Sequence, residues 1–150
     1  MKYYIIHNQT EIYIAENEQA FSNLGYTEEV HELPEDYNSE KYLVVDGELI
    51  LNTNYDQEQA EKEQERVNSL TCTKRVFALI LTQLGVTYTQ LKELIAQNER
   101  AQLEWDLCVE LQRSNPLLDV MASQLGFTHE QLDKIFKYAN GEINEEELLN

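Results

Sequence analysis

A chain of 150 residues with 42% hydrophobic side chains suits one domain, or a small domain with an appendage, around a real core. A mean hydropathy of −0.54, a longest apolar run of only Val76 to Leu81, and a start (Met1 to His7) that soon turns polar exclude an ordinary membrane span and a secretory signal peptide. A formal charge of −17 excludes the usual mode of direct nucleic-acid binding, which draws its affinity from clustered Lys and Arg.

The charge is unevenly distributed. Residues 1–65 carry 16 acids against Lys2, Lys41 and Lys62; residues 66–141 carry 8 acids and 8 bases; the tail adds Glu142, Glu145, Glu146 and Glu147. An acidic front half thus precedes a neutral back half. Such a front serves solubility, or it meets a basic partner.

In chain order, Lys2 to Ile6 and Glu11 to Ala15 are short, aromatic and β-branched runs separated by His-Asn-Gln-Thr, the pattern of a hairpin. Glu18 to Leu24 predicts two turns of helix stopped by Gly25, and Tyr26 to Leu33 a further strand ended by Pro34. Tyr42 to Val45 and Glu48 to Leu51 flank Asp46-Gly47, a pair that favours the type I′ turn whose twist suits a two-residue hairpin. A Glu- and Gln-rich helix follows over about Tyr55 to Leu70. It is polar on nearly every side and therefore reads as a connector.

Thr73 is placed to cap a helix running to Leu84. Its first turn holds Lys74 and Arg75, the wrong sign for a helix N-terminus, so compensation is expected, most simply from the acidic front half. A corner then repeats: Gln83-Leu84-Gly85-Val86-Thr87 leads into one helix and, 41 positions on, Gln124-Leu125-Gly126-Phe127-Thr128 into another. In each copy Gly ends a helix, Thr caps the next, and Gln90 or Gln131 completes a capping box. Between the corners, a helix over about Asn98 to Arg113 reads as the centre of the bundle. Ala101, Leu103, Trp105, Leu107, Cys108, Val109 and Leu111 cover most of it, and Gln102, Asp106, Glu110 and Arg113 form its exposed stripe. Arg100 and Glu104 fall inside the apolar arc at pairing distance. Trp105 is then expected to be largely buried near Leu84 and Leu125, and Trp105→Ala to cost about 3–5 kcal/mol. Asn115-Pro116 starts the fourth helix and Thr128 the fifth, which runs to about Ala139; Asn144 caps a last short turn.

The reading is an α+β protein. An acidic, antiparallel β-rich unit spans residues 1–52, a polar linker helix 53–72, and a bundle of about five helices with an acidic tail 73–150. Chemistry is hard to find in it. His7, His31 and His129 are scattered, and Cys72 and Cys108, both in segments read as helix or helix start, have no CxxC spacing. No Gly-rich phosphate loop or nucleophile elbow is present, and Glu145-Glu146-Glu147 reads as a solvated tail. The corner Leu-Gly-Val-Thr superficially fits a helix-turn-helix, but the helix after it has one base beside one acid. A non-enzymatic protein without cofactor or metal is expected.

Tyr42-Leu43-Val44-Val45-Asp46-Gly47-Glu48-Leu49-Ile50-Leu51-Asn52, the Glu/Gln-rich helix and Thr73-Lys74-Arg75-Val76-Phe77 carry a resemblance, together with Arg113-Ser114-Asn115-Pro116-Leu117 and Leu125-Gly126-Phe127-Thr128. Over about residues 42–136 the chain resembles small uncharacterised proteins of phage and prophage tail gene regions, in which Thr-Lys-Arg is usually followed by an acid rather than by Val76. The resemblance implies a phage origin, a tail-associated or tail-assembly role through protein–protein contacts, and residence in the host cytoplasm or the virion. It brings no catalytic residues.

A second class of function also fits: inhibition of a host defence or nucleic-acid-binding protein by imitation of a polyanion, with a basic protein partner. The candidate contacts are Glu28, Glu29, Glu32, Glu35, Asp36 and Glu40, with Glu58, Glu61 and Glu65 on one face of the linker helix. Neither class involves a membrane, and the oligomeric state is open.

Overall fold

The computed structural model describes residues 1–150. The chain is α+β, with its longer strands in the N-terminal third and its helices mainly after it. It divides into two compact units, Met1–Ala60 and Glu61–Asn150.

In the first unit, β1 (Tyr3–His7) is central, between β2 (Glu11–Ala15) and β3 (His31–Glu32), all antiparallel. The β1–β2 turn holds Asn8 and Gln9 at positive φ, the type I′ geometry that short hairpins favour. The strand expected over Tyr26 to Leu33 shrinks to β3, because only Tyr3↔Glu32 and Tyr4↔His31 pair. α1 (Gln19–Asn23) buries Phe21 and ends at Gly25, as its sequence predicts. The hairpin β4 (Tyr42–Val45) and β5 (Glu48–Leu51) forms in the expected register, with Asp46 and Gly47 at φ 51° and 80°. It is a separate sheet, and it leaves Leu43, Val45, Ile50 and Leu51 exposed. Only Ile5 and Phe21 are fully buried apolar side chains in this unit.

The polar helix is α2 (Tyr55–Asn68), which buries Val67 alone. Its C-terminal end belongs to the second unit, where charge fixes it. Arg66 pairs with Glu63 and Glu142, and Lys137 reaches Glu63 at 3.6 Å. Hydrogen bonds from the Arg66 guanidinium hold the Glu63 carboxyl down at about 2.

The second unit packs α3 (Lys74–Gln83), α4 (Tyr88–Ala96), α5 (Glu99–Leu107), α6 (Pro116–Gln124), α7 (His129–Ala139) and α8 (Glu145–Leu149) around one cluster. Its centre is Leu132, Ile135 and Phe136 of α7, with Phe77, Ile80 and Leu81 of α3 and Leu91 of α4. Both duplicated corners form as read. Gly85 and Gly126 sit at φ 88° and 81°, and the next residues, Val86 and Phe127, donate back to the Leu81 and Ala122 carbonyls at 2.9 and 2.8 Å. This is the Schellman closure. The Thr87/Gln90 and Thr128/Gln131 capping boxes are complete. α8 is capped by Asn144 as read and docks through Leu148, while Glu145, Glu146 and Glu147 stay exposed.

The expected helix over Asn98 to Arg113 is the main correction. α5 stops at Leu107, Cys108 turns extended, and β7 (Glu110–Gln112) pairs antiparallel with β6 (Thr71–Thr73). The physical reason is a period-two match: Cys72 and Leu111 face each other across the ribbon and are buried, while their neighbours are exposed. A pairing between residues about forty apart therefore overrides local helical preference. Both cysteines accordingly leave the helices expected for them, Cys72 for β6 and Cys108 for the extended residue that ends α5. α5 is not central either: Leu103 and Leu107 are exposed, as is Val109, and the Arg100–Glu104 pair spans 4.0 Å at the surface. Trp105 is only half-buried, 6.4 Å from Phe77 between ring centroids, and the position given to it belongs to Phe136.

Phe136→Ala should therefore be the substitution that costs about 3–5 kcal/mol in urea unfolding, with Trp105→Ala well below it. Gly126→Ala, which forces a Cβ into a left-handed position with no clash to blame, should cost about 1–2 kcal/mol.

Candidate functional site

α3 presents two faces. Phe77, Ile80 and Leu81 turn to the core, whereas Lys74, Arg75, Ala78, Leu79 and Thr82 lie on the opposite side. With Tyr88 at the start of α4 and Trp105 near the end of α5, these residues line an open groove of about 430 Å³. Leu79 and Tyr88 are 56% and 55% exposed on it. A second depression, past Tyr88 and Trp105, adds Lys92 and Asp106. Leu103 and Leu107 with Cys108 line a third, on the outer side of α5. The first two depressions together form an exposed apolar and aromatic surface with Lys74, Arg75 and Lys92 at its edge, while the third has Glu104 beside it.

Two of its cations lie against aromatic rings. Lys74 Nζ donates to the Trp105 carbonyl, one of the oxygens left free at the end of α5, and lies 5.8 Å from the centre of the Trp105 ring. Lys92 Nζ lies 5.7 Å from the Tyr88 ring centre. The Lys74 charge expected to be offset by the acidic front half is instead met by this carbonyl and ring. The Arg75 guanidinium makes no hydrogen bond or ion pair. Sequence reasoning missed the groove, although Val76 to Leu81 gave a signal. Six consecutive apolar residues exceed what one helix face can bury, so Leu79 was bound to be left over.

The buried charge in this unit is Arg113, 3% exposed and not in an exposed stripe. Its Nε donates to Asp133 at 2.6 Å, Nη1 to Asp119 at 3.0 Å and Nη2 to the His129 carbonyl at 3.4 Å. His129 Nδ1 contacts Asp119 at 2.9 Å. Each guanidinium nitrogen has a partner within the fold, which makes this network a structural tie.

The nine carboxylates singled out from the sequence have different surroundings. Glu28 is half-buried and hydrogen-bonded to His7 Nδ1, a contact that lowers its pKa; His7 lies against the rings of Tyr13 and Tyr26. Asp36 bonds Lys41 and accepts from the Tyr42 hydroxyl at 2.8 Å, and Lys41 is the main cause of its lowered pKa. Glu40 accepts from Gln59 at 2.8 Å and Glu58 from Asn52 at 3.0 Å. Glu29 is exposed, and Glu32 and Glu35 line a depression with Lys2 and Tyr37. Glu61 and Glu65 are exposed on α2.

No group of three or more His, Cys, Asp or Glu is placed to hold a metal, and no helix is long and apolar enough to cross a membrane. No family model matches the chain, and neither a curated protein nor a solved structure matches it.

Arg113→Ala strands Asp119 and Asp133 beside each other and should cost about 3–5 kcal/mol, read as a shifted urea midpoint. The two thiols should differ as well. Burial pushes Cys72 up to about 12, so a thiol reagent at neutral pH should label half-exposed Cys108 in the native protein and both cysteines only after unfolding. For Glu63, whose folded pKa is depressed, the Arg66 contact stabilises fully above about 4.5 and is lost as pH falls towards 2. Melting temperature should drop through that window, less steeply in Glu63→Gln.

Proposed function

We propose that this is a non-enzymatic protein that works by protein–protein contact, as a tail-associated or tail-assembly component of a phage or prophage. The observation that carries the contact role is the exposed apolar surface of the second unit. Leu79, Tyr88, Leu103, Leu107 and Val109 all lie open to water, the last two about 80% exposed. Large apolar side chains left open to water in this number, beside a groove edged by Lys74 and Arg75, suit an interaction site. The sequence resemblance supplies the tail context.

A second reading, inhibition of a nucleic-acid-binding protein by polyanion mimicry, is favoured by the acids concentrated in residues 1–65. Against it, Glu28, Asp36, Glu40 and Glu58 already hold partners within the fold. The exposed acids Glu29, Glu32, Glu35 and Glu65 would have to carry most of the recognition, because Glu61 is also engaged within the fold.

Antibody against the chain should detect it in purified particles or in complexes with tail proteins. Leu107→Glu, an exposed change expected to alter stability by no more than about 0.5 kcal/mol, should weaken that association. Absence from particles and from every tail complex overturns the tail role. Salt-sensitive capture of a nuclease, lost on charge reversal at Glu32, Glu35, Glu61 and Glu65 and kept in Leu107→Glu, establishes the mimic instead.

A further inference from the structure

The groove along α3 has a chemistry at odds with the rest of the chain. In a protein of 28 acids and 11 bases, Lys74 and Arg75 line this groove and Lys92 the depression that adjoins it at Tyr88 and Trp105, with Asp106 the only acid lining either. An arginine in so acidic a chain would normally find a carboxylate, yet Arg75 stays exposed with neither hydrogen bond nor ion pair. Beneath it lie Leu79, Ala78, Tyr88 and Trp105, a floor that water solvates poorly.

The walls also restrict the shape of an occupant. All seven lining residues of the main groove stand on helices, and no strand edge borders it. An extended peptide would find no main-chain partners here, whereas a helix satisfies its own backbone and needs only an apolar stripe and flanking charge. From Lys74 to Thr82 the α3 wall runs roughly 12 Å, about two helical turns.

We propose that this groove binds a short acidic amphipathic helix of a partner protein. Its apolar stripe lies on Leu79, Tyr88 and Trp105, and its carboxylates are held by Arg75 and Lys92. The proposal rests on the protein-binding reading above and adds the chemistry of the partner. Arg75 is the specificity residue: a cation free of internal obligations can form a forked pair with an incoming carboxylate without breaking any contact of the fold.

Trp105 is the only tryptophan, so the protein carries its own reporter. The probe is a Trp-free helical peptide with Leu and Phe at i, i+3 and i+7 and Glu on the flanking positions, titrated into the full chain. Its counterpart has Lys for every Glu. The acidic peptide should shift Trp105 emission to the blue and saturate, more tightly at low salt than at about 150 mM. Arg75→Glu should weaken it by about tenfold, since reversal replaces an attraction with a repulsion. Leu79→Asp should abolish it, with circular dichroism unchanged in both variants.

Equal binding of the acidic and basic peptides, or an Arg75→Glu variant that binds as before, overturns the inference and leaves the protein-binding reading standing. Displacement of the acidic peptide by labelled oligothymidine overturns it in favour of a nucleic-acid site. Self-association of the chain that Arg75→Glu abolishes, with no peptide bound, assigns the groove to a second copy. No change in Trp105 with any peptide, together with no partner lost in Leu79→Asp and Leu107→Glu, removes both the inference and the reading beneath it.

Discussion

The second unit depends on one buried guanidinium. Taking Arg113 out of water costs several kcal/mol unless its donors all find acceptors, so its position dictates where three other segments must be. Asp119 on α6 and Asp133 on α7 supply the charges, and the His129 carbonyl at the start of α7 takes a third donor. The Arg113 backbone N–H donates at 2.9 Å to the Leu70 carbonyl, just ahead of β6. One residue thereby ties the exit of β7 to α6, α7 and the segment before β6. The tie lies at one end of the β6–β7 ribbon and reinforces it. The early end of α5 goes with that ribbon, because residues paired as strand from Glu110 to Gln112 cannot also be helical.

Seen from that constraint, the exposed groove is a consequence of where α5 stops. A helix continuing to residue 113 would have placed Leu107 and Leu111 on successive turns of one face. The break sends Leu111 into the core and leaves Leu107 outside, and it leaves the Trp105 carbonyl without an intrahelical donor. Lys74 fills that vacancy. The wrong-signed first turn of α3 and the orphan carbonyl at the end of α5 thus answer each other, and the contact lays the lysine stem across the Trp105 ring. Half-burial of Trp105 belongs to this arrangement.

What could be read from the sequence was local. Asp46-Gly47, Thr87 and Gln90, Thr128 and Gln131, Asn115-Pro116 and Asn144 all act within a few residues of themselves, and each forms the turn or cap its chemistry demands. What could not be read was non-local. Nothing near Glu110-Leu111-Gln112 announces that Thr71-Cys72-Thr73 will pair with it, and Arg113 looks like any surface arginine at the end of an amphipathic helix. The groove was hidden for the same reason, since its residues come from three helices whose packing is set by those distant contacts. Only the surplus Leu79 hinted at it. In the first unit, the acids that looked equivalent in sequence are sorted by neighbours such as His7, Lys41 and Gln59, which periodicity does not reveal.

The duplicated corner shows how one local device can serve two ends. Leu91 and Leu132 hold equivalent places after the caps and both are buried to 1% exposure; Ile95 and Phe136, four residues on, are core in both copies. Gly, Thr and Gln hold the turn in each, and the same positions after the cap supply the buried side chains. The first helical residue is under no such demand. It follows the cap, points away from the core, and contributes nothing to closing the turn. In one copy it is Tyr88, which lines the groove and carries Lys92 on its ring; in the other it is His129, which contacts Asp119 beside the buried arginine. The invariant positions make the fold. The free position lets one corner brace it while the other lines the groove.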